Sequence, residues 1–247
     1  MSAARSTAGT GVTVPVRGGG RRRSRVAPVL LTGFEPFGGE AINPSWEVAR
    51  ALHGQTIAGV PVVAVQLPCV FATSLPTLQA ALRLHRPRLV LCLGLAGSRS
   101  AISLERVAVN LIDARIPDNA GAQPVDQPVL AGGPAAHLLR WPVKRVAAAL
   151  CAAGLAVALS HSAGSFVCNQ VAYGLAQALR RRPAVAAGFI HLPPLPEQAA
   201  RYPGSQAMAL ADQCRGMALA VATLLVALDE AAGQPVQDLH EPGGHVD

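Results

Sequence analysis

Short apolar runs alternate with longer helical patterns along most of this chain. Residues 29–32, 60–67 and 89–93 are compact runs rich in Val and Leu, the length and composition of strands buried on both faces. Between the first two, Asn43-Pro44 opens a helix that runs to His53, with Asn as cap and Pro at the first helical position. A second helical pattern covers 74–85. Farther along, 106–112 alternates as a strand, Asp118-Asn119-Ala120-Gly121 is a turn, and 142–153 is a helix stopped by Gly154. A strand at 155–160 then feeds the small-residue loop Ser162-Ala163-Gly164-Ser165. A helix follows from about Cys168 to Arg182, then a strand at 184–190, and a closing helix at 206–232. This rhythm predicts one α/β domain over 29–232, a twisted, mostly parallel sheet with helices on both faces. Residues 1–28 read as a disordered Gly/Arg-rich tail and 233–247 as a loose C-terminal tail.

Charge sharpens that division. Arg5, Arg17, Arg21, Arg22, Arg23 and Arg25 lie in the first 28 residues without a single acid, whereas the rest has 15 basic and 14 acidic residues. Six of the seven net positive charges therefore belong to the tail. A nearly neutral domain argues against nucleic-acid binding by the folded part. The arginines ahead of the first apolar run imitate a twin-arginine signal, but that run is short and reads as the first strand. Residues 146–179 carry no Asp, Glu, Lys or Arg. They are interrupted by Gly154, His161-Ser162 and Asn169-Gln170, so the expectation is a buried run and no membrane span. Cys69, Cys92, Cys151, Cys168 and Cys214 form an odd set without paired short spacing, as expected of free thiols in a reducing cytoplasm. No Cys/His grouping has zinc spacing, so no metal is expected.

Cys168 and His191 carry the candidate chemistry. A thiol needs a base to become a good nucleophile at neutral pH. Cys168 stands where the helix after the small-residue loop begins, and a helix N-terminus favours a thiolate. His191 follows an apolar run, at whose C-terminal end α/β proteins place their chemistry. Spacing alone does not identify a nucleophile–base pair, and on that ground a buried structural cysteine and a satisfied core histidine are the better reading. Asn43 is compatible with both capping and substrate contact. Arg115 is compatible with pairing to Asp113 or Asp118 and with holding a developing oxyanion, together with the backbone around Cys168.

Four longer strings change the weighting: LLTGFEPFGGEAINPSW at 30–46, SLERVAVNLIDARIPDNAGAQP at 103–124, HSAGSFVCNQ around Cys168 and GFIHLPPLPEQ around His191. Together, and in this order, they closely resemble the pyroglutamyl peptidase I family, the pyrrolidone-carboxylate peptidases, over about 29–198. The resemblance implies a cysteine omega-peptidase that removes an N-terminal pyroglutamyl residue through a thioester, without a cofactor. Cys168 would be the nucleophile, His191 the base and Glu105 the group orienting the histidine. Phe34 and Phe37 would line the pyrrolidone pocket, with Phe166 and Val167 nearby. The resemblance further implies a homo-oligomer, often a tetramer, acting on peptides with N-terminal pyroglutamate. One departure stands out: Leu95 occupies a position where the family usually has glutamine in GQAGGR, which bears on any substrate contact made by that side chain. Two other readings follow: a catalytically weak lactam-binding or regulatory protein on the same fold, and a thiol redox sensor centred on Cys168.

Overall fold

The computed structural model describes residues 26–240; the expectations for residues 1–25 and 241–247 lie outside them. In chain order the elements are β1 (Val29–Phe34), α1 (Pro44–Leu52), β2 (Thr56–Ile57), β3 (Val60–Leu67), α2 (Phe71–His85), β4 (Leu89–Leu95), β5 (Ile102–Glu105), β6 (Val107–Val109), β7 (Ala136–Leu138), α3 (Val143–Ala152), β8 (Val157–Ser160), α4 (Val167–Leu179), β9 (Ala186–Leu192), a 3-10 turn (Pro196–Arg201) and α5 (Leu210–Glu230). Seven strands form one sheet in the order β2-β3-β1-β4-β9-β5-β8, and β6 pairs with β7 beside it.

The central strands β3, β1, β4 and β9 run parallel. Every residue of β1 and β4 is buried, because α1, α3 and α5 pack together on one face of the sheet and α2 and α4 on the other. That two-sided cover is why these strands read as continuous apolar runs. β5 instead runs antiparallel to β9. Only residues 96–101 separate it from β4, too few for a crossover, so the chain can only turn back. α5 is long and apolar enough to cross a membrane, but here Met217, Ala220, Val221, Leu224 and Leu225 give it a buried stripe in the core.

Several boundaries differ from the sequence pattern for physical reasons. The stretch expected as one strand at 106–112 is a strand only over 107–109, with an isolated bridge from Ile112 to Gln127, and a separate strand, β5, precedes it at 102–105. The chain leaves the main sheet at Arg106, whose N–H donates to the Ser160 carbonyl and whose carbonyl accepts from Leu139. α2 starts at Phe71 rather than at 74, because Asp118 Oδ2 accepts the Phe71 N–H from 47 residues away, a cap no local pattern announces. α4 ends at Leu179, so Arg181 and Arg182 lie beyond it; Pro183 disfavours helical backbone at Arg182. Residues 233–240 hold no helix or strand, yet they are docked: Asp238 accepts the N–H groups of Lys144 and Arg145 and closes the start of α3.

Candidate active site

Because β1, β4 and β9 end at the same edge, the loops that follow them converge there, the usual place for a site in a parallel sheet. A cavity of about 520 Å³ opens at this edge, lined by Cys168 and His191 on its floor and by Phe37, Leu95, Phe166, Ser165, Arg115 and Tyr202 around it.

Three elements bring the polar groups together. β9 ends in His191 and Leu192, and in its register with β4, His191 stands opposite Gly94. Gly94 matters for what it lacks: a Cβ there would lie 2.9 Å from Cys168 Sγ and 3.1 Å from His191 Cδ2. Thiol and imidazole thus face each other across the space that a side chain at 94 would fill. β5, lying antiparallel beside β9, delivers Glu105, which is wholly buried. Its Oε1 accepts from His191 Nδ1 at 2.7 Å. A carboxylate can only accept, so the proton sits on Nδ1 and Nε2 is left as the basic nitrogen. Glu105 lies at the end of a strand, not in a turn before one, and its backbone carbonyl is held by Trp141 Nε1 at 3.0 Å.

The electrostatics assign states. For Glu105, burial is the largest influence and acts upward. The hydrogen bond and charge of His191, the nearby Ser160 hydroxyl and Arg99 outweigh it, so the carboxyl is held below its ordinary value. For Cys168, burial, then Cys69 and Glu105, push the thiol well above its ordinary value while Arg99 acts the other way. The residue is half-exposed by area, but its Sγ is the deep end, packed toward Gly94. The helix N-terminus therefore does not by itself leave a resting thiolate; the proton must go to His191 as the thiol attacks.

That N-terminus has a different use. α4 begins at Val167 with no side-chain cap. Among the described residues the N–H groups of Val167, Cys168 and Asn169 have no acceptor, the first capped donor being Gln170 to the Phe166 carbonyl. Three unpaired donors at the nucleophile suit a developing oxyanion.

The aromatic wall differs in part from expectation. Phe37 and Phe166 line the cavity with ring centroids 6.0 Å apart, and Phe71, which sequence reasoning missed, backs Phe166 edge-on at 5.1 Å. Phe34 does not line it: it is the last residue of β1, 1% exposed, in the hydrophobic core. Val167 is also fully buried behind the wall. Asn43 is a cap and not a wall residue, its Oδ1 accepting from Ser45 N at 3.1 Å and Oγ at 2.8 Å while Nδ2 donates to the Glu35 carbonyl. Leu95 and Arg115 do line the cavity; Arg115 is exposed and forms no ion pair with Asp113 or Asp118.

Other wall residues carried no sequence signal. Tyr202 lies flat on Gly97, where a Cβ would come within 2.0 Å of its ring. Burial, then the hydrogen bond and charge of Glu40, push its phenol up to about 12. Arg201 beside it donates to the carbonyls of Gly38 and Gly39, and Gln198 holds Glu40 at 2.7 Å. The 3-10 turn after β9 thereby fastens the Phe37 loop. From the other side Glu35 Oε1 accepts from Cys69 N and Asn119 Nδ2. Among the described residues, no group of three or more His, Cys, Asp or Glu could hold a metal ion.

Comparison with known proteins agrees with this geometry. The family model of the pyroglutamyl peptidases matches residues 27–227. The pyrrolidone-carboxylate peptidase of Gloeobacter violaceus is 54% identical over 196 residues, covering 79% of this chain and 96% of that one. That of Klebsiella pneumoniae is 52% identical over 200 residues, covering 81% and 94%. Among solved structures, pyroglutamyl peptidase I from Bacillus amyloliquefaciens superposes with a TM-score of 0.81 at 39% identity, over 88% of this chain and all of that one. A variant of the Pyrococcus furiosus pyrrolidone carboxyl peptidase gives 0.76 at 38% identity, over 81% and 98%. With its fold, its thiol–imidazole–carboxylate floor and a match spanning most of its length, this chain belongs to the pyroglutamyl peptidase family.

Proposed function

We infer that this protein is a cysteine peptidase that hydrolyses the bond following an N-terminal pyroglutamyl residue. The observation that carries it is the meeting of Cys168, His191 and Glu105 beneath a small cavity walled by Phe37, Phe166 and Leu95. As Cys168 Sγ attacks the pyroglutamyl carbonyl carbon, its proton passes to His191 Nε2, and Glu105 stabilises the imidazolium through Nδ1. The carbonyl oxygen, now an oxyanion, is met by the free N–H groups at the start of α4, with Arg115 adding positive charge at the rim. Return of the proton to the leaving amine releases the shortened peptide and leaves a thioester on Cys168. Water, deprotonated by His191, then frees pyroglutamate and restores the thiol.

Selectivity comes from the wall. A lactam ring is flat and neutral, and stacks on apolar and aromatic side chains. A prolyl ring of the same shape carries an ammonium, whose burial without a partner is far more costly. The five cysteines are all unpaired, which supports the reading of a protein of the reducing cytoplasm. A homo-oligomer, by similarity to the family a tetramer, is the assembly proposed, and sedimentation of the full chain measures it.

The test is hydrolysis of a pyroglutamyl chromogenic amide against its prolyl counterpart. Turnover of the first and rejection of the second is the expected result. A protein that binds the pyroglutamyl amide without cleaving it would be a lactam-binding protein on this fold and would overturn the reading.

A further inference from the structure

We infer that Arg99 is a positioning residue that fixes the charge and orientation of the Glu105–His191 pair and so sets the pH range in which Cys168 is activated. The inference rests on the acyl-transfer reading above. Arg99 Nη1 donates to Glu105 Oε1 at 2.6 Å, the same oxygen that accepts from His191 Nδ1. Its Nη2 donates to the Ser162 carbonyl at 2.8 Å, across 63 residues of chain. Ser162 belongs to the segment that leads into Cys168, so one guanidinium ties together the carboxylate behind the base and the loop that delivers the nucleophile. A planar fork with several fixed donors can do both at once; a point charge cannot.

Little else holds that carboxylate. Glu105 Oε2 is buried without a hydrogen-bond partner. The Ser160 hydroxyl, near enough to favour the charge, donates to the Ser162 carbonyl at 3.2 Å instead. Orientation of Glu105 thus rests on His191 and Arg99. Other titratable or charged groups around the pair are Cys168 on α4, Cys92 on β4, Cys69 before α2, the half-buried Arg106 and the exposed His161, 3.5 Å apart, and Asp113 and Arg115 across the cavity. Among the described residues Arg99 alone puts a permanent cation in contact with Glu105.

Arg99 acts from behind. It is absent from the lining of the substrate cavity and lines a separate open cavity of about 560 Å³ with Ser100, Ser103, Ser160, His161 and Ser162. Solvent reaches it from that side, its side chain being 29% exposed. A group so placed touches no substrate. Its charge adds to the larger effect of His191 in holding Glu105 ionised, and it favours the thiolate of Cys168.

The experiment compares wild type, Arg99→Met and Arg99→Lys, with far-UV circular dichroism as the folding control. Two profiles are read against pH: hydrolysis of the pyroglutamyl amide, and iodoacetamide labelling of the Cys168 peptide by mass spectrometry. Arg99→Met is expected to lower kcat about tenfold with KM within about twofold of wild type. Both profiles should move to higher pH by about one unit, because the lost cation had favoured the thiolate. Arg99→Lys should restore the midpoint but not the full kcat, since it returns the charge without the fork. An unmoved midpoint in Arg99→Met, an effect confined to KM, or a midpoint equally displaced in Arg99→Lys would overturn the inference. Should Arg99→Met not fold, Arg99→Lys decides: a wild-type labelling midpoint with reduced kcat supports the role, and a displaced midpoint ends it. A wild type that labels at Cys168 yet cleaves no pyroglutamyl amide overturns the peptidase reading, while the labelling midpoints still report on Arg99.

Discussion

The two sides of the cavity are built on different principles. On the floor, Cys168, His191, Glu105 and Arg99 come from strand ends, a helix start and one loop, and the polar chain from Arg99 to His191 passes through a single oxygen, Glu105 Oε1. On the wall, Phe37, Phe166, Leu95 and Tyr202 present apolar surface, and the order lies behind them, in the bonds of Arg201, Gln198 and Glu35 to loop backbone. The floor depends on position to a fraction of an ångström because proton transfer does. The wall depends on area and on exclusion of charge, which tolerate small shifts. Damage to the floor should therefore appear in kcat and damage to the wall in KM.

The largest effect tests the floor. Cys168→Ser and His191→Ala are each expected to lower kcat at least about a thousandfold with an unchanged fold, and the double variant should be hardly worse than either, since the two act as a unit. Additive losses would show that they do not. Gly94→Ala adds only a methyl group, but one wedged between Sγ and the imidazole; a drop in kcat of about a hundredfold at native circular dichroism is expected, the scale of an ångström-sized misplacement. A KM effect instead would put Gly94 on the wall side.

Glu105→Gln should cost less, roughly ten- to a hundredfold in kcat, because it removes orientation and charge but no reacting atom. It has a second signature. The Glu105 carboxyl is held below its unfolded value, so its contribution to stability is complete above the ordinary carboxylate pKa and is lost as pH falls through the folded value. Urea midpoints taken downward from pH 6 should fall less steeply in Glu105→Gln than in wild type; parallel slopes would deny the ion pair.

On the wall, Phe37→Ala is expected to raise KM about tenfold, the loss of a partly buried ring, with kcat changed less and the preference over prolyl substrates reduced. A kcat-dominated loss would erase the distinction between floor and wall. Smallest in kinetic effect is Asn43→Ala: it should leave kcat and KM unmoved and lower stability by about 1 kcal/mol as a lost cap, read from chemical denaturation. Altered KM would return Asn43 to the substrate.

Much of this was legible in the chain. Runs such as 89–93 announce strands because cover on both faces demands apolar residues without interruption, and Asn43-Pro44 announces a helix because capping is a contact over two residues. What escaped notice lay beyond local reach. Phe34 and Phe37 are three residues apart in one string, and nothing local decides that the first closes β1 in the core while the second turns into the cavity. Tyr202 stands in a stretch with no periodicity and acquires a role only because Gly97, in another loop, leaves room for its ring.

By itself the sequence determined the kinds of element, their order and the chemical types available: a thiol at a helix start, an imidazole at a strand end, a carboxylate upstream. These follow from forces acting over two to four residues, the pleat period, the helical turn and the cap. The tertiary structure alone decided which atoms meet. His191 finds Glu105 across 86 residues and Arg99 finds Ser162 across 63, because β5 turns back beside β9 and the loop before α4 climbs past it. Such contacts are fixed by how the buried faces of whole elements pack, a property of no single segment.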